Sequence, residues 1–178
     1  MRKTVLTFGL IAGAILSASM LATVPFIDSI GFDRGEVVGY TAMVLAFLLI
    51  FFGVRSYRDN VAGGVIRFGR AFAVGAMIAA VAAVCYAATW ELVYSRFTPD
   101  FVEKYQAHVI EKARAEGDSE EEIARKQADL KKYAGMYENP AIRAAITFFE
   151  PMPVALIICL VTAGVLSRRK TIDNPISS

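Results

Sequence analysis

The chain has 178 residues, of which 56% are hydrophobic and 20% are charged, and its formal net charge is +2. A mean hydropathy of +0.47 is too high for an ordinary soluble domain of this length. The hydrophobic residues fall into four runs separated by charged stretches, and a helix of roughly 20 apolar residues is enough to cross a bilayer core. The composition therefore excludes an ordinary soluble protein and predicts an integral membrane protein.

The four runs predict an all-α fold, an integral membrane four-helix bundle that forms a single membrane domain over residues 1–178. An outer, extramembrane helical hairpin is expected at 98–139, between helices 3 and 4, and a disordered tail is expected at 171–178. The membrane helices are predicted at about 4–27, 37–54, 71–94 and 140–166.

The first run follows Arg2 and Lys3 and has a second interpretation as a signal peptide, because Ser17-Ala18-Ser19 resembles a small-x-small cleavage site. Cleavage there would leave three spans and would place the mature N-terminus outside. The apolar run continues to Ile27, which is too long for a typical signal core, so we expect a retained helix.

Small residues predict how the helices pack, because helices in lipid approach one another closely through Gly and Ala. The third run carries a ridge of small residues spaced by four, so its helix is expected at the centre of the bundle. Gly9 and Gly13 form a G-x-x-x-G pattern on the first helix, and Gly35 and Gly39 form another on the second. These patterns fit packing within one bundle, with homodimerisation as the alternative. The ridge consists of Ala71, Gly75, Ala79, Ala83 and Ala87.

The polar segment at 98–139 contains the signals of two helices. Thr98-Pro99 is a typical helix start, and Ser119 with Glu122 three residues later forms a capping box for a second helix. The charges are dense and of both signs, which is typical of a solvated helix pair; a dedicated binding surface is the alternative. Asn139-Pro140 then predicts the start of the last membrane helix.

Lys and Arg are concentrated on one side of the predicted helices, which under the positive-inside rule is the cytoplasmic side. Both termini are therefore expected in the cytoplasm, a parity that four spans satisfy. Four arginines of the cytoplasmic loop are candidate contacts for anionic lipid headgroups, and the alternative is that they serve only as a topology signal. They are Arg55, Arg58, Arg67 and Arg70; the other basic residues of this side are Arg2, Lys3, Arg168, Arg169 and Lys170.

The stretch TFFEPMPV at 147–154 places Glu150 beside Pro151 and Pro153 within the last apolar run. Glu150 lies 18 residues before Arg168, about 27 Å along a helix and close to the outer boundary of the bilayer core. The prolines remove backbone donors and predict a break whose free carbonyls can bind a cation. The candidate polar or ion site consists of Glu36, Glu91, Glu150 and Arg143.

Two interpretations of these outer charges stay open. In the first, the glutamates are interfacial charges paired with arginines. In the second, Glu91 and Glu150 face each other across helices 3 and 4 and form an outward-facing polar vestibule. An aromatic belt is expected at the same level from Trp90, Tyr94 and Tyr40.

Several longer stretches carry a family resemblance: GEVVGYTAMVLAFLLIFFGVRSYRD, GGVIRFGRAFAVG, WELVY, EPMPV and the closing SRRK. Together they resemble the bacterial membrane proteins grouped as domain of unknown function 4199, over nearly the whole chain. The resemblance implies a bacterial inner-membrane protein and implies no activity, substrate or site. The matching positions include Glu36, Arg55, Tyr57, Arg58, Asp59, Glu91, Glu150 and Pro151.

The sequence favours a non-catalytic role that is structural, regulatory or based on partner binding. It contains no nucleophile elbow, phosphate loop or cluster of metal ligands, so we expect no enzyme, no cofactor and no metal. The expected partners are membrane lipids, with a protein bound through the hairpin or a second copy of the chain as further candidates, and no nucleic acid. The alternatives are a small transporter or channel-like unit with an acidic outer-leaflet site, and a carboxylate-based membrane enzyme.

Overall fold

A computed structural model describes residues 1–167; the basic residues Arg168, Arg169 and Lys170 and the predicted tail at 171–178 lie outside the described residues. Residues 1–167 contain helices and no strand, which confirms the all-α fold. A short 3-10 turn, Val24–Phe26, joins the first two helices. The helices are α1 (Arg2–Thr23), α2 (Ile27–Ile30), α3 (Phe32–Asn60), α4 (Phe68–Arg96), α5 (Phe101–Glu116), α6 (Glu120–Tyr137), α7 (Pro140–Phe149) and α8 (Met152–Leu166).

Four helical segments are long and apolar enough to cross a membrane; the first three are longer than the sequence predicted, and the fourth has the predicted bounds, 140–166. The prediction limited the first three helices to their apolar runs, whereas the helical backbone continues into the polar residues at the ends of these runs. A helix of 29 residues, such as α3, is about 44 Å long and exceeds a hydrocarbon core of about 30 Å. The segments are Arg2–Ile30, Phe32–Asn60, Phe68–Arg96 and Pro140–Leu166.

Helix α4 lies at the centre of the bundle and packs against α1, α3, α7 and α8. The predicted ridge of small residues on α4 is buried along its length. A Cβ atom added at Gly9 would lie 2.7 Å from Val81 Cβ, and one added at Gly13 would lie 2.7 Å from Cys85 Cβ. The glycines of the first G-x-x-x-G pattern therefore bring α1 and α4 together within one bundle, as expected.

Helix α1 is an integral part of this packing. Val5, Leu16 and Met20 are buried against the bundle, and the Thr89 hydroxyl of α4 donates a hydrogen bond to Ser17 Oγ at 2.8 Å. The Ser17-Ala18-Ser19 sequence that resembles a cleavage site therefore lies inside a packed helix.

The segment between α4 and α7 forms the predicted helical hairpin, α5 and α6. The capping box between Ser119 and Glu122 is confirmed at the start of α6. The predicted start at Thr98-Pro99 is wrong, because α5 begins at Phe101 behind Asp100. The Thr98 N–H donates to the Val93 carbonyl at 3.2 Å, so Thr98 completes the end of α4 instead of capping α5.

Helices α7 and α8 form one membrane-length segment that is interrupted at Glu150 and Pro151. The Asn139 side chain caps α7 and accepts a hydrogen bond from the Ala141 N–H at 2.9 Å, which confirms the predicted start. Glu150 and Pro151 keep right-handed helical backbone angles, so the interruption is a kink within one segment. Pro151 and Pro153 have no N–H to donate, and the carbonyls of Thr147 and Phe149 therefore lose their helical partners.

Candidate functional site

The two halves of the bundle differ in how tightly they are packed. The packed half contains α8 and the adjoining parts of α1, α3 and α4, and its core includes Phe47, Ile50 and Val54, each 0% exposed. The hairpin half consists of α2, α5, α6 and α7 with residues 32–42 of α3 and 86–96 of α4. Residues 32–42 of α3 include no buried side chain, because α3 leaves its neighbours on this side of the bundle.

This divergence leaves a cavity of about 930 Å³ between α1, α3, α4 and α7 and beneath the hairpin. Leu16 of α1 and Met43 of α3 line the part nearest the packed half, and Gly35 and Gly39 line the α3 side. A Cβ atom added at Gly39 would meet no atom within 4 Å. The two glycines of the second G-x-x-x-G pattern therefore differ: a Cβ atom added at Gly35 would lie 2.6 Å from Ile27 Cδ1 of α2, whereas Gly39 faces an open space. The aromatic residues of the lining are Phe32, Tyr40, Tyr86, Trp90, Phe101, Tyr105, Tyr133 and Tyr137.

An aromatic cluster joins the hairpin to the start of α3. The Phe32 ring lies 5.6 Å from the ring of Phe101, 5.9 Å from that of Tyr105 and 5.1 Å from the His108 ring, on which it stacks. Aromatic pairs at such separations add to the energy of apolar burial. The cluster therefore fixes α5 across the mouth of the cavity, and the hairpin is more than the solvated helix pair that its charges suggested.

Charged contacts reinforce the same junction. Lys112 Nζ lies 2.9 Å from Asp33 Oδ1, His108 Nε2 lies 3.4 Å from the same oxygen, and Lys104 Nζ lies 2.6 Å from Asp28 Oδ2. The hydrogen bond to Asp33 raises the pKa of Lys112, and the hydrogen bonds to Asp28 and Asp100 raise the pKa of Lys104. These groups are exposed to solvent, so the aromatic cluster contributes more to the junction than the ion pairs do.

Glu91 and Arg143, two of the four candidate polar residues, form a closed ion pair. Arg143 Nε donates to Glu91 Oε1 at 2.9 Å and Nη2 donates to Oε2 at 2.6 Å, while Nη1 donates to the Tyr137 carbonyl at 3.1 Å. The guanidinium carbon lies 4.3 Å from the centre of the Tyr94 ring. The Arg143 side chain is 9% exposed and that of Glu91 is 29% exposed. Bidentate geometry of this kind positions α7 against α4.

The other two candidates both line the cavity: Glu36 is a residue of α3, and Glu150 directly follows α7. The Tyr86 hydroxyl donates to Glu150 Oε2 at 3.4 Å. Glu91 thus pairs with Arg143 rather than facing Glu150, so the second interpretation, a vestibule between these two glutamates, is wrong. The interpretation of charges paired with arginine applies to Glu91. Within residues 1–167, neither Glu36 nor Glu150 forms a salt bridge.

The four arginines predicted to contact anionic lipid lie at the packed end, around a turn where Gly63 and Gly64 adopt positive φ. Asp59 lies 2.7 Å from Arg58 and 3.7 Å from Arg55, and the Arg70 guanidinium carbon lies 5.9 Å from the centre of the Tyr57 ring. Arg67 is exposed beside exposed apolar residues, among them Val65 and Phe68. Lipid contact by these arginines stays a prediction.

Sequence reasoning missed two residues of the cavity that organise its polar groups. Tyr86 could have been recognised from the sequence, because it is the one tyrosine within a stretch of α4 that otherwise consists of small and aliphatic residues. Phe32 gave no signal, because its partners Phe101, Tyr105 and His108 lie about 70 residues further along the chain. No group of three or more His, Cys, Asp or Glu side chains in the described part of the chain is placed to hold a metal ion.

The fold and the cavity define an all-α bundle with four helices of membrane-spanning length and a polar helical hairpin over a cavity at one end. Within this class, the chain belongs to the family described as "Protein of unknown function (DUF4199)", whose model matches residues 7–168. The match covers the bundle and the hairpin together. No curated protein and no solved structure matches the chain.

Proposed function

We propose that this chain is a non-catalytic, multi-pass protein of the bacterial inner membrane that binds an amphiphilic molecule in the cavity of the hairpin half. The observation that carries this proposal is the cavity itself. Its volume of about 930 Å³ lies within the range of small-molecule sites, which are mostly apolar with a few placed polar groups. An apolar cavity at the outer end of membrane helices is accessible to molecules that partition into the bilayer.

The route into the cavity supports an amphiphile that enters from the lipid. Helix α7 packs against α4, α6 and α8, while α3 packs against α1, α2, α4 and α8. The cavity is therefore lined by α3 on one side and α7 on the other, and both helices carry exposed apolar residues at this level, Val37 at 66% and Phe149 at 65%. An acyl chain in the outer leaflet can pass between them without crossing a polar barrier.

The packed half favours binding over transport. A transporter or channel requires polar groups along a path through the membrane. The core of the packed half is apolar and closed, with Ile50, Val74 and Ile78 each 0% exposed. The proposed role is therefore the capture or sensing of a membrane component at the hairpin half, which agrees with a regulatory or partner-binding protein and leaves transport and carboxylate-based catalysis as the less favoured alternatives.

The orientation belongs to the same proposal. Arg55, Arg58, Arg67 and Arg70 lie at the packed end, whereas the hairpin is charged with both signs, so we place the packed end and both termini in the cytoplasm. Single-cysteine labelling in intact cells tests this: a cysteine at Lys131 is expected to react with a membrane-impermeant maleimide, and one at Ala62 only after lysis. Labelling of Ala62→Cys before lysis would show that the orientation is the opposite of the one proposed.

Binding is tested by fluorescence, because Trp90 is the single tryptophan and it lines the cavity. Brominated alkyl chains quench a neighbouring indole, so chain-brominated amphiphiles with cationic, nonionic and anionic headgroups are titrated into the protein in maltoside micelles. We expect saturable quenching by at least one of them. Gly39→Phe is expected to abolish it, since this side chain would project into open space within the cavity.

Gly135→Phe is the matched control. Gly135 is also a helical glycine with no atom within 4 Å of an added Cβ, but it does not line the cavity. Quenching is expected to survive this substitution. If no probe quenches Trp90 saturably, or if both variants lose quenching equally, the cavity is not a binding site and the proposal is overturned.

A further inference from the structure

We infer that the amphiphile carries a cationic amine headgroup, which is held between Glu36, Glu150 and the tyrosines of the cavity. This inference rests on the proposed binding function and names the chemical class of its ligand. It is carried by three independent features of the lining: its charge, its aromatic composition and the separation of its polar part from its apolar part.

The charge of the lining is unbalanced. Four carboxylates and two lysines line the cavity, with His108 as a further titratable group. Lys112 and His108 are both held by Asp33, and Lys126 binds Asp118, which lies outside the lining. The lysine charges are thus engaged by partners at the hairpin. Among the described residues, the carboxylates of the lining without a salt bridge are Glu36, Asp129 and Glu150, and this excess of negative charge favours a cation over an anion.

The pairing of Glu91 with Arg143 distinguishes Glu91 from Glu150 as a possible contact for the ligand. Arg143 is the arginine nearest to the level of Glu150 on α7, and its donors are directed to Glu91 and to the Tyr137 carbonyl. Among the described residues, the one hydrogen bond to the Glu150 carboxylate comes from a neutral phenol, that of Tyr86. Glu150 therefore has no cationic partner among the described residues, which leaves its carboxylate available to a cationic ligand.

The aromatic lining suits an organic cation better than a metal ion. Tyr40 of α3 and Tyr86 of α4 line the cavity with the two glutamates, and Tyr105 and Tyr133 line it from the hairpin. Ammonium groups bind over aromatic faces, and enclosure by several rings is the usual means of recognising alkylated amines. A metal ion would need closely grouped hard ligands, and the described residues offer no such group.

The polar and apolar parts of the cavity are arranged for an amphiphile. Glu36, Tyr40 and Glu150 lie toward the rim, whereas Leu16, Met20 and Met43 line it with apolar side chains toward the packed half. A ligand with its amine among the tyrosines would place its chain against these side chains. Two sources share this chemistry, a phosphatidylethanolamine headgroup and a free lipophilic amine or quaternary ammonium.

The test compares three probes with the same brominated dodecyl chain, one with a trimethylammonium headgroup, one with a glycerol ether and one with a phosphate monoester. Quenching of Trp90 in the full chain is followed in maltoside micelles. We expect the trimethylammonium probe to bind on the order of tenfold more tightly than the glycerol ether, and the phosphate to bind most weakly.

Glu36→Gln and Glu150→Gln are each expected to lower the affinity for the trimethylammonium probe by roughly fivefold to tenfold. The affinity for the glycerol ether is expected to stay unchanged. Glu111→Gln is the matched control, because Glu111 is an exposed glutamate of α5 that lies outside the cavity lining. This substitution removes the same charge and is expected to change the affinity for neither probe. Unchanged binding of the glycerol ether shows that each variant remains folded.

The outcomes separate this inference from the function on which it rests. If the three probes bind equally, or if the phosphate binds most tightly, the inference of a cationic headgroup is wrong, whereas the proposal that the cavity binds an amphiphile is retained. If no probe binds saturably, both are wrong. Relief of quenching by unbrominated phosphatidylethanolamine assigns the lipid as the source, and relief only by an unbrominated single-chain ammonium assigns a free lipophilic cation.

Discussion

Glycine has different roles in the packed half and in the hairpin half: in the first it allows close helix packing, and in the second Gly39 lines a cavity. In the packed half, Gly9 and Gly13 allow α1 to approach α4 so closely that an added Cβ would lie 2.7 Å from a side-chain carbon of α4. In the hairpin half, Gly39 lies on a G-x-x-x-G pattern of equal quality and faces open space. Gly35 of that pattern does contact Ile27 of α2, so a glycine pattern does not by itself show which of its residues form a helix contact.

The difference has a structural cause. In the packed half, α3 is buried on one face from Met43 to Tyr57. From Ala42 back to its N-terminus, α3 diverges from α4, and the aromatic cluster around Phe32 holds the first turn of α3 against α5 instead. Helix α7 stays on α4 through the Glu91–Arg143 pair. The two helices are thus held by different partners, and the cavity is the space between them.

The largest expected effect tests whether the ion pair holds the hairpin half together. Arg143→Ala would leave Glu91 without its partner and expose the Tyr94 ring, and we expect a loss of about 3 kcal/mol in the free energy of unfolding. The measurement is reversible unfolding in mixed micelles. The control is the double variant Glu91→Leu with Arg143→Met, which removes both charges and is expected to cost less than Arg143→Ala alone. An equal or larger cost in the double variant would argue against an unpaired charge as the cause.

The second prediction compares the two glycine patterns directly. Gly13→Leu would force α1 away from Cys85 and is expected to lower the free energy of unfolding by about 2 kcal/mol. Gly39→Leu is expected to lower it by less than about 0.5 kcal/mol, because its side chain would enter the cavity without a clash. Both are measured in the same unfolding assay. Equal costs would show that the hairpin half is as closely packed as the packed half.

The third prediction concerns the aromatic cluster. Phe32→Ala removes three ring contacts and is expected to reduce the free energy of local opening of α5 by about 1 kcal/mol, with little change in α4. Hydrogen exchange of the α5 amides measures it. Phe26→Ala is the control, because Phe26 is 59% exposed and takes no part in the cluster. Unchanged exchange in Phe32→Ala would mean that the hairpin is held by other contacts.

The smallest expected effect is confined to the hairpin and depends on pH. Hydrogen bonds from the Ser119 hydroxyl and backbone N–H lower the pKa of Glu122 below its usual 4.5. A lowered folded pKa stabilises α6 fully above the unfolded pKa, and this stabilisation is lost as the pH falls from about 4.5 through the folded value. We expect the first turn of α6 in the wild-type protein to exchange more slowly than in Glu122→Gln above this pH, and we expect the difference to disappear as the pH falls through the folded pKa.

Glutamine is a suitable reference at this position because it can complete a capping box without titrating. Comparing the two proteins at each pH also cancels the intrinsic pH dependence of exchange. Glu121→Gln, one residue earlier and outside the box, is expected to keep the wild-type pH response. A pH response that persists in Glu122→Gln would assign it to another carboxylate.

Much of the fold follows from local patterns. Four apolar runs predicted four helices of membrane length, Ser119 with Glu122 predicted the start of α6, and the prolines at 151 and 153 predicted the kink after Phe149. These features depend on residues within one or two helical turns. The start of α5 was mispredicted because Thr98 is engaged by the end of the preceding helix, a competition between two local signals that the sequence does not rank.

The site depended on contacts between distant residues. The sequence by itself predicted that Glu36, Glu91 and Glu150 lie near one level, because the rise per residue of a helix is fixed. Only the tertiary structure decided that Glu91 pairs with Arg143, that Glu150 accepts from Tyr86, and that Glu36 and Glu150 line one cavity. The physical reason is that helical periodicity fixes height and face along each axis, whereas the rotation and divergence of packed helices are set by side-chain contacts between them.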